Sequence, residues 1–283
     1  MSAPKKNSRQ LLPAALALLL SVAAAALLLK PAPPPEPELE PDPHVTVYDG
    51  VREISILPAE DVAVNTYTAA DFTPAGGYLS CEGGRMGIDV SAYQKNIDWQ
   101  AAANSGIEFA FLRCGYRGCS AGTIREDSCF RANLRGVESA GLDWGVYFFS
   151  QALDEQEAVE EAEYVLSLLG GRVPTLPVMF DWEVVEMEGS RSYGQGDLSA
   201  RADAFCKRLE KAGVPAGIYC SVQQGYHQYD IRVLDRHALW LACPGTTAPA
   251  FYYAADYWQY SFTGSVPGIV GDVDLDLWLP EKP

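Results

Sequence analysis

Asp181 and Glu183 stand two residues apart in PVMFDWEVV, residues 177–185, behind a run of apolar side chains. A short apolar run of this kind predicts a buried strand. Strands buried on both faces avoid ionised carboxylates, whose desolvation is costly. Residues i and i+2 on a strand share a face, so Asp181 and Glu183 point one way and Trp182 the other. Both acids enter the helix layer or both reach a wet cavity, and only the cavity has water for them. Carboxylates crowded there raise one another's pKa, and partial burial adds to the rise. One acid then stays protonated near neutral pH while another stays charged. Glycoside hydrolysis uses that division: a proton donor for the leaving oxygen, and an anion beside the oxocarbenium-like centre.

Further acids fall at similar places. Asp89 ends MGIDVS, and Asp272, Asp274 and Asp276 lie in DVDLDLW. Taken singly, a D-x-E pair is usually structural, Asp89 suits a helix N-cap and Asp274 suits a turn. Their shared position at strand ends argues for a site. A metal is the rival use of an acid cluster, but the chain has three histidines, His44, His227 and His237, all expected away from the acids. No metal site is expected. The D-[ST]-G string of aspartic proteases is absent, and nucleophilic serine chemistry is not expected either. Tyr116, Tyr147, Phe149, Tyr219, Trp240 and Trp258 lie near strand ends, and aromatic faces pack on the C–H faces of sugars. They are the expected substrate-binding residues, with barrel core as the alternative for about half of them.

The elements that must position these residues alternate. Strands are expected at 86–91, 107–114, 142–150, 176–184, 215–221, 238–243, 255–261 and 272–278, and helices at 154–169 and 197–213. Apolar strands alternating with helices argue for a parallel sheet covered by helices. Eight strands suggest a barrel, irregular because the last three have little helix between them. Functional residues of such barrels collect at the C-terminal ends of the strands. Residues 44–85 read as a short β-rich extension packed on the barrel domain, 86–283, without a core of its own.

The N-terminal segment is different material. Lys5, Lys6 and Arg9 precede the uncharged run Leu11–Leu29. A helix of that length spans about 28 Å, close to a bilayer's hydrocarbon thickness. The basic residues favour a cytoplasmic N-terminus. Residues 1–30 therefore read as a cytoplasmic tip and transmembrane signal-anchor, with the rest of the chain outside the cell. A cleaved signal peptide and a secreted protein is the alternative. Residues 31–43 alternate proline with acid and predict a semi-rigid stalk. A net charge of −16 disfavours nucleic acid as a partner. Seven cysteines include an odd one, in a compartment that permits disulfides. Cys119 and Cys129 flank a polar loop and are the favoured pair, and the apolar settings of most others predict buried thiols.

Taken in order, MGIDVSAYQKNIDW, FAFLRCGYR, GVYFFSQA, PVMFDWE, AGIYCS, LWLA, YWQYS and VPGIVGDVDLD resemble the landmarks of the family 25 glycoside hydrolases, lysozymes of the N-acetylmuramidase type. The likeness covers about residues 84–280. It implies an α/β, irregular TIM-like barrel of eight strands and about five helices. It also implies hydrolysis, with retention, of the β-1,4 bond from N-acetylmuramic acid to N-acetylglucosamine in peptidoglycan. Glu183 resembles the family's general acid/base. Asp181 resembles the second carboxylate, either nucleophile or the group steadying an intermediate formed by the substrate's acetamido group. Asp89 and Asp274 resemble the remaining acids of the site, and Asp272 and Asp276 take no family role. No metal or cofactor is implied. The family often has a small aliphatic residue where this chain has Trp182, which predicts altered packing behind intact chemistry. The rival reading is a non-catalytic peptidoglycan-binding protein on the same barrel.

Overall fold

A computed structural model describes residues 42–186, 188–191 and 197–281. The expected membrane helix and nearly all of the stalk lie outside them. Among the described residues no helix is long and apolar enough to cross a membrane.

Eight strands close a barrel. They are β5 (Arg85–Val90), β6 (Phe109–Arg117), β8 (Asp143–Ser150), β9 (Val178–Trp182), β10 (Ala216–Ser221), β11 (Ala238–Ala242), β12 (Tyr257–Gly264) and β13 (Val273–Trp278). Around the barrel the order is β5-β13-β12-β11-β10-β9-β8-β6, with β6 returning to β5. A short β7 (Ile124–Glu126) folds back antiparallel on the end of β6. All barrel pairings are parallel except those of β13, which runs antiparallel to both β12 and β5. The N-terminal end of β13 therefore reaches the mouth where the other strands end.

Six helices surround the described barrel: α1 (Trp99–Asn104), α2 (Phe130–Ala140), α3 (Glu155–Leu169), α4 (Leu198–Glu210), α5 (Val222–His227) and α6 (Ile231–Leu234). The last two are single turns that sequence periodicity is too short to show. Local chemistry sets the bounds of the long ones. The Asp154 side chain accepts from Glu157 N–H at the start of α3, and Gly170, at φ 59°, ends it in the left-handed conformation.

Alternation sorts the strand residues into two clusters. Outward-facing Ile88, Leu112, Val146, Phe180, Ile218, Leu241 and Leu275 join the helix faces in one large core. Inward-facing Phe109, Phe111, Met179, Trp240 and Tyr257 fill the barrel. Phe111 stacks on Trp240 with centroids 4.6 Å apart. The filling is tight enough to require glycine opposite it: a Cβ on Gly87 would stand 2.2 Å from the Phe109 ring, and one on Gly145 2.6 Å from Phe111.

Residues 44–85 pack on the barrel. The hairpin β1 (Val45–Tyr48) and β2 (Glu53–Ile56) turns at Asp49, whose Oδ1 accepts from Val51 and Arg52 N–H. Asp49 Oδ2 lies 2.7 Å from Nε2 of His227 on α5. A second hairpin, β3 (Thr73–Ala75) with β4 (Tyr78–Ser80), follows Phe72. Ala59, Val62 and Phe72 are buried in the barrel's outer cluster.

Candidate active site

Asp181 is the last inward-facing residue of β9, opposite Phe149 on β8 and Tyr219 on β10. It is 4% exposed, and its Oδ1 has no hydrogen-bond partner among the described residues. Trp182 faces outward, buried among the helices, with the Arg201 guanidinium of α4 5.3 Å from its ring. Glu183 lies just past the strand end and is exposed at the mouth. Two glutamines fix this turn: Gln224 Nε2 donates to Trp182 O and Gln151 Nε2 to Glu183 O, both at 2.9 Å. They hold the backbone that carries the acids, without touching either carboxyl.

Across the mouth, Asp274 on β13 pairs in register with Asp89 on β5. The structure thus brings Asp89, Asp181, Glu183 and Asp274 to one end of the barrel. Burial first, then Glu183, pushes the Asp181 carboxyl well above the usual range, and Arg113 opposes the rise. Desolvation also raises Glu183, although the residue is exposed overall. Asp274 is pushed up to about 7 by desolvation, then Glu183 and Asp272. Asp89, fully enclosed, is raised by burial, then by Asp276 and Asp274.

Arg113 is a site residue that sequence reasoning missed. It faces inward on β6 with Nε 2.8 Å from Asp127 Oδ2, and its guanidinium lies 5.2 Å from the Tyr93 ring and 5.7 Å from that of Tyr116. Strict alternation would place Tyr116, three residues on, on the opposite face. A register shift between Arg113 and Gly115 adds one residue, so that Arg113 pairs with Tyr147 and Tyr116 with Phe149. The available signal was an arginine within the apolar run FAFLRC, residues 109–114. Arg113→Gln removes the cation that holds the Asp181 pKa down. That pKa then rises further, the anion forms only at higher pH, and the acid limb of the kcat/KM profile moves up. An unmoved limb would mean that Arg113 does not act on Asp181.

The expected aromatic site divides. Tyr116 and Phe149 are half-buried at the mouth, and Tyr93 is 79% exposed beside Arg113. Tyr147 and Tyr219 are 8% exposed and form the floor; Tyr219 Oη donates to Gln259 Oε1 at 2.8 Å. Trp240 is inward but sealed below that floor at 1% exposure, so it does not face substrate. Trp258 points outward, paired with Leu241 and Leu277 and packed 5.0 Å from Phe72. Both tryptophans are core residues here. The reason is depth for Trp240 and strand phase for Trp258, neither of which proximity to a strand end reveals.

Cys119 and Cys129, the favoured pair, are not bridged. Ser120 lies in the G-x-S-x-G string of residues 118–122, but in the β6–β7 turn, where it is exposed. The strand-to-helix elbow that gives that motif its chemistry is missing. His237 lies 2.8 Å from Glu210 and 3.1 Å from Asp203, on the helix layer.

Comparison with known proteins agrees with this geometry. Residues 88–269 match the family described as Glycosyl hydrolases family 25. Lysozyme M1 of Streptomyces globisporus is 29% identical over 206 residues, 68% of this chain and 66% of that protein. The chain thus spans slightly under two-thirds of that relative's length. N,O-diacetylmuramidase of Arthroderma benhamiae is 30% identical over 225 residues, 73% of this chain and 91% of that protein. The crystal structure of the bacterial lysozyme from Streptomyces coelicolor superposes with a TM-score of 0.59 at 28% identity, covering 70% of this chain and 93% of that one. A family match over more than half of the chain, on a closed barrel whose acids meet at one mouth, places this protein among the family 25 glycosyl hydrolases.

Proposed function

We propose that this chain is a peptidoglycan muramidase that hydrolyses the β-1,4 bond between N-acetylmuramic acid and N-acetylglucosamine with retention. The convergence of Asp181, Glu183, Asp274 and Asp89 at one barrel mouth, among carboxyls with raised pKa values, carries this reading. Like charges so placed do not all ionise together. Arg113 opposes the rise at Asp181, and among the described residues no such cation acts on Glu183. We assign the donated proton to Glu183, which reaches the wet mouth, and the anion to Asp181 in the reacting complex, where Arg113 favours the charged form. Glu183 gives its proton to the leaving glycosidic oxygen. Asp181, from the floor, attacks the anomeric carbon or steadies the intermediate formed by the substrate's acetamido group. Glu183, now a base, takes a proton from the incoming water. Asp274 orients the sugar and Asp89 tunes the pair from beneath, while Tyr93, Tyr116 and Phe149 offer ring faces to neighbouring sugars.

The apolar run Leu11–Leu29 tethers the enzyme to the membrane with the barrel outside, facing cell wall that it remodels or lyses. Digestion of purified peptidoglycan by the full chain, with mass analysis of the reduced products, tests the chemistry. Fragments ending in reducing N-acetylmuramic acid are expected, and fragments ending in N-acetylglucosamine would refute the bond assignment. Recovery of the chain in the membrane fraction, resistant to high salt, is the expected sign of the tether; a shortened soluble product would replace it with a cleaved signal.

A further inference from the structure

Asp276 lies on β13 two residues from Asp274, on the same inward face and one layer deeper, opposite Gly87. It is wholly buried. The Trp240 indole Nε1 donates to its Oδ1 at 2.8 Å. Its Oδ2 is also enclosed, and among the described residues no donor reaches it. The register sets the carboxyl of Asp89, on the same inward face of β5, diagonally beside Asp276, and it is the side chain that acts on Asp276 besides Trp240 and Asp274. Asp89 Oδ2 already accepts from Gln259 Nε2 at 2.7 Å, and Gln259 Oε1 accepts from Tyr219 Oη. Two carboxylates in contact have only acceptors to offer each other. Two anions so buried would also carry both the desolvation cost and their mutual repulsion.

We propose that Asp89 and Asp276 share one proton, and that Asp276 is a positioning residue that sets the charge and orientation of Asp89 beneath the catalytic pair. The donors then converge on the pair from two sides. Tyr219 donates to Gln259, Gln259 donates to Asp89, the shared proton joins Asp89 to Asp276, and Trp240 donates to Asp276. Every enclosed oxygen of the Asp89–Asp276 contact is satisfied, including the orphaned Oδ2. The groups around the pair are Asp274 on β13, Asp181 on β9, Tyr147 on β8 and Tyr219 on β10, with Arg113 on β6 beyond Tyr147 and Asp181. Of these Arg113 is the cation, and it lies against Asp127. The pair therefore presents a single negative charge to the floor of the site. The role assigned to Asp276 rests on the muramidase reading; the shared proton does not.

Infrared difference spectra of the full-length protein at neutral pH test the proton directly. Asp276→Asn keeps the size of the side chain. Its Oδ1 still accepts from Trp240, so its Nδ2 must face Asp89 as a donor and favour the Asp89 anion. The expected result is loss of one carbonyl band of a neutral carboxylic acid relative to wild type. An unchanged band would mean that burial alone protonates Asp89, and would overturn the proposal. Should Asp276→Asn fail to fold, Trp240→Phe removes the donor that stabilises the charge on the pair. The neutral-acid band should then persist to higher pH than in wild type, and an unshifted titration would be equally decisive against sharing. Activity supplies the second readout. With the charge fixed on Asp89, nearer the catalytic pair, kcat/KM of Asp276→Asn should fall roughly tenfold, as displacing a proton equilibrium by about one pKa unit would require. Its alkaline limb should move up, because a nearer anion keeps Glu183 protonated longer. A fall in kcat/KM with no movement of the limb would indicate a packing role alone. A wild-type protein inert on peptidoglycan would refute the muramidase reading while leaving the infrared result to decide the shared proton.

Discussion

Replacement of Glu183 by glutamine is expected to remove hydrolysis of peptidoglycan while leaving the fold unchanged. A positioned acid/base group contributes about a hundredfold to ten-thousandfold, and glutamine supplies neither the proton nor the base. The substitution is nearly the same size. The hydrogen bond that holds this turn, from Gln151, is made to the Glu183 backbone carbonyl and survives. Glu183 is exposed at the mouth, and surface changes away from buried partners usually alter stability by less than about 0.5 kcal/mol. After burial, Glu183 is also the leading cause of the raised Asp181 pKa. Glutamine removes that repulsion, so the Asp181 pKa falls and the melting temperature stays level or rises slightly. Product release from purified wall and a thermal melt measure the two halves. Retained activity in this variant would refute the assignment of Glu183, and lost activity with a collapsed melt would leave catalysis and folding unseparated, which Asp181→Asn under the same assays would then resolve.

Trp258→Ala is expected to do the reverse: it costs stability and spares the site. Trp258 is fully buried between Phe72, 5.0 Å away, and Tyr260, 5.6 Å away. Its indole Nε1 donates to Cys243 O at 3.0 Å. Truncating such a side chain costs about 3–5 kcal/mol through lost burial and the cavity left behind. For a domain of this size each kcal/mol lowers the melting temperature by about 2–4 °C, so a fall of roughly 10 °C is expected. Phe72 belongs to the segment before the barrel, and loss of its partner should loosen that segment first, visible as earlier proteolysis within residues 44–85. KM on peptidoglycan, measured well below the melt, should stay at the wild-type value. A raised KM with an unchanged melt would return Trp258 to the substrate site.

The barrel strands and the two longest helices were legible because their signals are local. Apolar runs of 5–9 residues, a capping Asp154 and a terminal Gly170 each specify an element within a few residues of chain. The facing of Asp181, Glu183 and Trp182 followed from two-residue periodicity, which any regular strand obeys. The landmarks in order determined the family. What remained hidden was set by pairing across the barrel. The extra residue after Arg113 turns Tyr116 into the mouth, and it exists only in register with β8. The antiparallel run of β13 lifts Asp274 to the mouth and sinks Asp276 to the layer below, a reversal invisible in DVDLDLW itself. Trp240 and Tyr219 sit inward on neighbouring strands, in register with each other, yet Trp240 is sealed beneath the floor that Tyr219 helps to form. Sequence determined how side chains alternate along each regular stretch of strand, because alternation is a property of one strand. Tertiary structure decided how deep each lies and which acids meet, because depth and contact depend on the stagger of eight strands closing on one another.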